Sequence, residues 1–374
     1  MILSNANYVD GEFKLKKGDI RIEDGKIKEI GENLIGEERI DCTGKYVLPG
    51  FVDSHFHGAC GVKVSNENPD YDTMTNYLAT QGVTSVVMST VVNTRENLLQ
   101  QVENVYKYKG NENGAKILAV HLEGPFISTK YKGAMNDENI VLPTIEMLDA
   151  LCERSGNMVK MITIAPEVDG AMEVIKYAVS KGIKVFLGHT GATYEQAKEA
   201  INAGASGMTH TFNASVGLHH RNPGVLGATL TDESVSCEMI CDYVHLHPAI
   251  INLIYKVKGR EKISIISDSV FAAGIECESY MEPDGIVRYI KDGKITLADG
   301  TIAGSAMNIY HGVKNLLKSG YPIEDVAMMA SYNPAKTIGK ETEIGSLEVG
   351  KRADIVILDG DYNIVRTYVD GKKV

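Results

Sequence analysis

Histidines and carboxylates stand at the ends of separate apolar segments of this chain. Six of them carry the chemical interpretation: His55, His57, Glu123, His189, His210 and Asp268. Imidazole nitrogens and carboxylate oxygens are ligands that Zn²⁺ and Fe²⁺ accept in proteins. A bound divalent ion lowers the pKa of water towards ~7, which makes a hydroxide nucleophile at neutral pH. The residue types therefore predict a metal-dependent hydrolase.

The spacing of these residues suggests how they divide the work. His55 and His57 are two positions apart, so on a strand they project to the same side and can reach one ion. Glu123, His189 and His210 supply one oxygen and two nitrogens, a ligand set that leaves a position open for water. Asp268 then fits as the general base that takes a proton from water and passes it to a leaving amine. For a single such residue, a structural polar role is the competing interpretation.

These residues need a scaffold that brings several strand ends together. Eight apolar segments alternate with helical segments in most of the middle of the chain: 51–57, 83–90, 116–123, 159–166, 183–189, 206–212, 237–245 and 263–268. This alternation predicts an α/β fold, a (β/α)8 barrel over residues 50–335 whose chemistry sits where the strands end. The weakest connection is between segments six and seven, where only a short helix is expected.

The two chain ends have a different pattern. Residues 1–49 and 336–374 contain short strand-like runs punctuated by Asp-Gly and Thr-Gly pairs. Neither end is long enough to build a robust core alone. We therefore expect a small composite β-sandwich domain, built from both ends, beside the barrel.

Composition and charge exclude several classes of protein. The 49 acidic and 38 basic residues give a net charge of −11, which disfavours nucleic acid as a partner. No apolar run approaches the ~20 residues that span a bilayer, so no membrane partner is expected. The first 20 residues carry Asn, Asp and Glu where a signal peptide needs a basic start and an apolar stretch. These features predict a cytoplasmic protein, and its six scattered cysteines are expected to be reduced thiols.

Longer motifs add a resemblance to a known family. The chain resembles the amidohydrolase superfamily, and within it the N-acetylglucosamine-6-phosphate deacetylases, over essentially its whole length. The segments that carry the resemblance are PGFVDSHFHG (49–58), HLEGPFIS (121–128), GHTGATYEQAKEAINAGASGMTHTFNAS (188–215), DYVHLHP (242–248), SDSVFAAG (267–274), TIAGSAMN (301–308), NPAKTIG (333–339) and GSLEVGKRADIVILD (345–359). The first and last identify the superfamily scaffold, whereas HLEGPF with the GHT and THTFNA segments is typical of the deacetylases.

The resemblance implies roles for residues of this chain. Glu123, His189 and His210 correspond to the family's metal ligands and Asp268 to its catalytic aspartate. Because the chain retains both histidines of the HxH pair, a second metal ion is possible, with Glu123 bridging; the implied cofactor is one or two divalent ions, Zn²⁺ or Fe²⁺. A carbamylated lysine bridge is not supported, since segment four ends IAPE without lysine. The resemblance also implies a homodimer and a group of phosphate-binding residues: Asn213, Ala214, Arg221 and His245.

The implied activity is hydrolysis of N-acetylglucosamine 6-phosphate to glucosamine 6-phosphate and acetate, in amino-sugar catabolism. One position departs from the family pattern: Met135 stands where many members have a histidine that polarises the acetyl carbonyl, and a thioether cannot donate a hydrogen bond. Two alternatives therefore stay open. One is a deacetylase for a galactosamine or mannosamine type of N-acetylhexosamine 6-phosphate, because sequence does not reveal sugar stereochemistry. The other is a non-catalytic scaffold, which retention of the metal-binding residues disfavours.

Overall fold

A computed structural model of the chain describes residues 1–282 and 285–374. The strands in these ranges fall into the terminal segments, the middle of the chain and an insertion near residue 290. They are β1 (Ile2–Val9), β2 (Leu15–Glu23), β3 (Lys26–Gly31), β4 (Arg39–Asp41), β5 (Tyr46–Pro49), β6 (Phe51–Phe56), β7 (Gly58–Ala59), β8 (Val62–Lys63), β9 (Val83–Thr90), β10 (Lys116–Glu123), β11 (Val159–Ile164), β12 (Lys184–Leu187), β13 (Gly207–Met208), β14 (Ser236–Ile240), β15 (Ile263–Ile266), β16 (Ser279–Met281), β17 (Val287–Lys291), β18 (Lys294–Thr296), β19 (Ile302–Ser305), β20 (Ile355–Leu358), β21 (Ile364–Val369) and β22 (Lys372–Lys373).

Helices fill most of the intervals between the strands of the middle region. They are α1 (Tyr71–Thr80), α2 (Arg95–Tyr108), α3 (Ile145–Arg154), α4 (Ala171–Ser180), α5 (Tyr194–Asn202), α6 (Gly224–Thr231), α7 (Pro248–Lys258), α8 (Ile309–Lys318), α9 (Ile323–Ala327) and α10 (Asn333–Thr337). Several begin at side chains that accept a hydrogen bond from the first turn, including Thr94, Thr144 and Thr193. Such caps satisfy amide groups that the helix itself leaves unpaired.

The middle region is a barrel of eight parallel strands. Neighbours pair in the order β6, β9, β10, β11, β12, β13, β14, β15, and a helix follows each of the eight along the chain. Strand β9 is buried at every position, as expected for a parallel strand covered on both faces. The barrel closes where the Asp268 amide donates to the His55 carbonyl oxygen at 3.0 Å. Asp53 supports this seam, because its carboxylate accepts from the Ser267 amide and hydroxyl. The predicted fold class is confirmed.

Three barrel strands are shorter than the sequence predicts. The segments expected at 183–189, 206–212 and 237–245 are strands only over Lys184–Leu187, Gly207–Met208 and Ser236–Ile240. The first two end early because His189 and His210 adopt positive φ angles, 49° and 25°, which an extended strand does not contain. The chain therefore turns at the residues that carry the polar side chains.

The chain ends form a separate sheet. Strands β22, β21, β20, β5, β1, β2 and β3 lie side by side in that order, and β4 also pairs with β1. The two ends meet where β20 pairs antiparallel with β5, with Ile355 opposite Pro49. A core of buried apolar side chains covers this sheet, among them Leu3, Ile20 and Ile357. The domain boundaries at residues 49 and 336 stay a prediction.

A feature that the sequence analysis did not identify is a small antiparallel sheet inserted between β15 and α8. It consists of β16, β17, β18 and β19 in consecutive pairing. Its residues Tyr280, Arg288 and Ile302 line the large cavity described below. The connection predicted to be weakest does contain a short helix, α6. Within the described residues, no helix is long and apolar enough to cross a membrane.

Arg352 joins the terminal sheet to the barrel and offers a test of their coupling. Its guanidinium donates to Asp354 Oδ2 at 2.7 Å and to Ser85 Oγ of β9 at 2.6 Å. Burial raises the pKa of Asp354, and Arg352 opposes that rise. Arg352→Ala leaves a buried carboxylate without its counter-charge, so we expect the free energy of unfolding to fall by about 3 kcal/mol.

Urea denaturation followed by circular dichroism measures this loss. Arg154→Ala is the control, since Arg154 is half exposed and lies 3.4 Å from Glu103; its loss should change stability by less than about 1 kcal/mol. Equal effects of the two substitutions would contradict a structural role for the Arg352 contacts.

Candidate metal centre

The barrel strands deliver the polar side chains to one point. His55 belongs to β6, and Glu123 is the last residue of β10. The other four lie within two residues after a strand end: His57, His189, His210 and Asp268. Of the six, all except Asp268 are at most 5% exposed. The carboxyl ends of the strands of such a barrel share one face, so residues far apart in sequence meet there. The structure brings together all six residues predicted from their types and spacing.

Glu123, His189 and His210 form the first cluster. Glu123 Oε1 lies 3.2 Å from His189 Nε2 and 3.1 Å from His210 Nε2, and the two nitrogens are 3.1 Å apart. Zn–N and Zn–O bonds of ~2.0–2.1 Å in a tetrahedral arrangement place neighbouring ligands about 3.3 Å apart. The three donor atoms therefore fit one face of a tetrahedron around a divalent ion.

His55, His57 and Asp268 form the second cluster. The two Nε2 atoms are 3.1 Å apart, and Asp268 Oδ1 lies 3.6 Å from His55 Nε2 and 3.3 Å from His57 Nε2. This cluster is also compact enough to hold an ion. Its longest separation exceeds any in the first cluster, so the first is the tighter ligand set.

The carboxylate of Glu123 lies between the two clusters. Its Oε1 contacts His189, His210 and also His55, at 3.2 Å, while its Oε2 is 3.2 Å from His57 Nε2. A carboxylate with one oxygen towards each cluster has the geometry of a bridge between two cations.

Hydrogen bonds at the far side of two rings direct Nε2 towards the clusters. His189 Nδ1 lies 2.9 Å from the carbonyl oxygen of Tyr131, to which it donates. His55 Nδ1 lies 3.0 Å from Glu238 Oε2. In the neutral form of each ring, the Nδ1 proton lies in these bonds and Nε2 keeps a lone pair for a metal ion.

Charge interactions keep Asp268 ionised. Burial alone would raise the pKa of Asp268, but the hydrogen bond with His57 and the charge of His55 hold it at about 2. Burial likewise opposes protonation of His57, whereas its hydrogen bonds with Asp268 and Glu123 raise its pKa to about 9. At neutral pH Asp268 is therefore a carboxylate, able to accept a proton.

Backbone strain accompanies the site. His189, His210 and Asp268 have φ angles of 49°, 25° and 49°, a region that residues other than glycine seldom adopt, although aspartate and histidine do so more often than most. Such conformations cost about 1–3 kcal/mol each and persist where the surrounding structure holds them. Three of them in one cluster are typical of a functional site.

A cavity of about 790 Å³ opens above the clusters. Its walls include His57, Glu123, His189, His210 and Asp268, together with three of the residues predicted to bind phosphate, Asn213, Ala214 and His245. The fourth, Arg221, does not line the cavity; it is exposed, and its Nη1 lies 2.8 Å from His220 Nε2. Met135 also lines the cavity.

The hydrogen bonding of His245 suits binding of an anion. Its Nδ1 lies 2.7 Å from Asp242 Oδ2, and its Nε2 is buried with no partner among the described residues. Burial alone would lower the pKa of His245, but the hydrogen bond and charge of Asp242 raise it. The protonated form of this ring would present an unpaired Nε2–H at the cavity wall, which suits a phosphate oxygen.

Other polar residues near the centre have structural partners. His121 uses both ring nitrogens, towards Ser89 Oγ at 3.0 Å and Thr163 Oγ1 at 2.9 Å. Glu167 accepts from the hydroxyl of Thr190 and the amide of Gly191, beside the turn that carries His189. Neither residue belongs to the two clusters.

Sequence reasoning missed Glu238. Its carboxylate is 1% exposed and reaches His55 across the barrel from β14. A single glutamate in the apolar run SCEMI was a signal, because an ionised side chain is almost never buried without a partner.

A sequence profile of the amidohydrolase family matches residues 46–374. The N-acetylglucosamine-6-phosphate deacetylase of Vibrio furnissii is 38% identical over 331 residues, which cover 88% of this chain and 82% of that protein. The N-acetylgalactosamine-6-phosphate deacetylase of Escherichia coli O157:H7 is 32% identical, with 99% of this chain and 98% of that protein covered.

Among solved structures, a mutant N-acetyl-D-glucosamine-6-phosphate deacetylase of Mycobacterium smegmatis, in complex with N-acetyl-D-glucosamine 6-phosphate, superimposes with a TM-score of 0.93. It is 31% identical, and the match covers 100% of this chain and 98% of that one. At this coverage the similarity extends over both the barrel and the terminal sheet.

The number of ions that the two clusters hold is open to direct measurement. We expect the wild-type chain, loaded with excess Zn²⁺, to bind two equivalents, with the Glu123, His189 and His210 cluster the tighter. The double variant His55→Gln/His57→Asn should bind one, because it loses two ligands of the second cluster. Elemental analysis after gel filtration measures both. One equivalent in both proteins would contradict a two-metal site.

Proposed function

The chain belongs to the amidohydrolase family, and from that premise we propose that it removes the acetyl group of N-acetylglucosamine 6-phosphate, giving glucosamine 6-phosphate and acetate. It is a metal-dependent hydrolase of an amide bond. The observation that carries the proposal is the cluster of five histidine and glutamate ligands with Asp268 at the floor of a cavity walled by His245. The named relatives that act on this substrate, or on its galactosamine counterpart, support it.

The reaction needs an activated water and a stabilised oxyanion. A divalent ion held by Glu123, His189 and His210, with a second at His55 and His57, would supply both, by lowering the pKa of water and polarising the amide carbonyl. We assign the ion as Zn²⁺ or Fe²⁺, because imidazole and carboxylate ligands suit both.

Asp268 moves the proton. Its Oδ1 faces the second cluster, and its low pKa keeps it ionised until a proton arrives. It takes the proton of the attacking water and gives it to the amide nitrogen, so that the C–N bond breaks with an amine as leaving group. His57, 3.3 Å away, holds the carboxylate in place.

The phosphate lies towards His245, Asn213 and Ala214, which share one cavity wall. His245 supplies a cationic N–H there, and the Asp242 carboxylate behind it fixes the ring. Arg221, exposed on its loop, is the further phosphate ligand that the family resemblance proposes. We also infer a homodimer, from that resemblance, and a cytoplasmic location, since a doubly charged sugar phosphate does not cross a bilayer unaided.

A second candidate is deacetylation of N-acetylgalactosamine 6-phosphate, the substrate named for the Escherichia coli relative. N-acetylmannosamine 6-phosphate is a third. Met135 is the reason to consider these substrates, because its thioether gives the acetyl group no hydrogen bond and leaves polarisation of the carbonyl to other groups. A scaffold without activity is disfavoured by the complete ligand set.

Asp268→Asn tests the proton transfer. The amide keeps the shape but cannot accept a proton, so kcat should fall by about 10²- to 10⁴-fold while metal content and KM stay near those of wild type. Release of acetate measures the rate. Glu112→Gln is the control, since Glu112 is a buried carboxylate that accepts from Gly110, remote from the cavity. Retention of more than roughly a tenth of the turnover would remove Asp268 from this role.

A panel of three sugars tests the substrate. We expect kcat/KM to be highest for N-acetylglucosamine 6-phosphate, compared with the N-acetylgalactosamine and N-acetylmannosamine 6-phosphates. The unphosphorylated sugar should be at least about tenfold poorer, because it loses a charge-assisted hydrogen bond to His245. Preference for another epimer would reassign the substrate, and equal activity without phosphate would overturn the phosphate site.

A further inference from the structure

We propose that Glu238 is a positioning residue for the second metal site: it holds His55 with its proton on Nδ1 and its Nε2 aimed at the ion. The proposal rests on the two-metal centre described above and is independent of the sugar that the enzyme accepts. Glu238 lies in β14 and His55 in β6, with β15 between them in the barrel order. The contact therefore lies inside the barrel and spans one intervening strand.

One oxygen of Glu238 accepts hydrogen bonds from residues of both clusters. Its Oε2 accepts from His55 Nδ1 at 3.0 Å and from the backbone amide of His210 at 3.2 Å. The first bond orients a ring of the second cluster, and the second holds the strained turn that carries a ligand of the first. Only the bond to His55 acts on a metal-binding ring directly.

The tautomer of His55 determines which ring nitrogen can bind the ion. With the proton on Nδ1, the lone pair of Nε2 points at the position shared with His57 Nε2, 3.1 Å away, and Glu123 Oε1, 3.2 Å away. A carboxylate hydrogen-bonded to the far nitrogen also makes the ring a stronger ligand. The other ring of this cluster lacks such support, because His57 Nδ1 has no partner among the described residues. The second site therefore depends on Glu238 for the orientation of His55.

The competing explanation is that Glu238 only stabilises the fold. Its other oxygen, Oε1, is buried and has no partner in the described part of the chain. A buried acceptor left unpaired destabilises the folded state. Glu112 offers the contrast, since its buried carboxylate accepts from the amides of Gly110 and Ile117 and ties a loop together. Glu238 also accepts one backbone amide, that of His210, but its side-chain partner is an imidazole of the metal centre.

The experiment compares Glu238→Ala and Glu238→Gln with wild type and with Glu112→Gln. Each metal-free protein is titrated with Zn²⁺ against a chelating indicator, which gives a Kd for each equivalent. We expect Glu238→Ala to weaken the second equivalent about 10- to 100-fold and the first by less than about threefold. Glu238→Gln should weaken binding of the second equivalent less than Glu238→Ala does, because the amide oxygen still accepts from His55 Nδ1. Glu112→Gln should change neither.

A second measurement is independent of metal. In ¹⁵N-histidine spectra of the metal-free proteins above the pKa of the ring, His55 should be the Nδ1-protonated tautomer in wild type and a mixture in Glu238→Ala. A purely structural role would lower the melting temperature and leave the tautomer and the ratio of the two Kd values unchanged.

The outcomes separate this proposal from the ones it rests on. Two equivalents in wild type with an unchanged second Kd in both Glu238 variants overturn the positioning role alone. A single equivalent in wild type overturns the second site and this role with it, while leaving deacetylation by one metal standing. An effect of Glu112→Gln as large as that of Glu238→Ala overturns the proposal as well. Should Glu238→Ala not fold, the amide variant and its tautomer decide the question.

Discussion

The burial of the Glu123 carboxylate at the centre of the barrel is the constraint on which the rest of the site depends. A carboxylate that is 3% exposed must find positive charge or hydrogen-bond donors, and here four imidazoles lie within 3.2 Å of its two oxygens. Burial alone would raise the pKa of Glu123, but the charge of His55 and the hydrogen bonds of His189 and His210 lower it well below its ordinary value. An anion held in this way is a prepared ligand for a cation.

The barrel places histidine side chains around the Glu123 carboxylate, and this placement strains the backbone. Strands β12 and β13 stop at Leu187 and Met208, and the next residues turn with positive φ so that His189 and His210 face inward. The closing seam, where the Asp268 amide meets the His55 carbonyl oxygen, joins the two ligands of the second cluster through the backbone as well as through their side chains. Fold closure and site assembly therefore use the same residues.

The barrel and the inserted sheet both contribute residues to the lining of the cavity. The ligands and Asp268 belong to strand ends of the rigid barrel, whereas Tyr280, Arg288 and Ile302 come from the inserted sheet β16–β19. Elements outside the barrel can change without disturbing the metal ligands, so we expect differences in sugar preference to arise there. Met135, on the segment that follows β10, also lines the cavity, and its thioether cannot donate a hydrogen bond.

The sequence alone determined the fold class and which side chains could form a metal centre, because alternating apolar segments have few stable arrangements and polar residues at strand ends share one face. Their catalytic and ligand roles stay predictions. Tertiary structure decided the rest. Glu238 reaches a residue 183 positions away, a contact that no local pattern encodes. The exposed position of Arg221 and the early ends of β12 and β13 are likewise decided in the folded chain, because exposure and backbone turns depend on how distant segments pack.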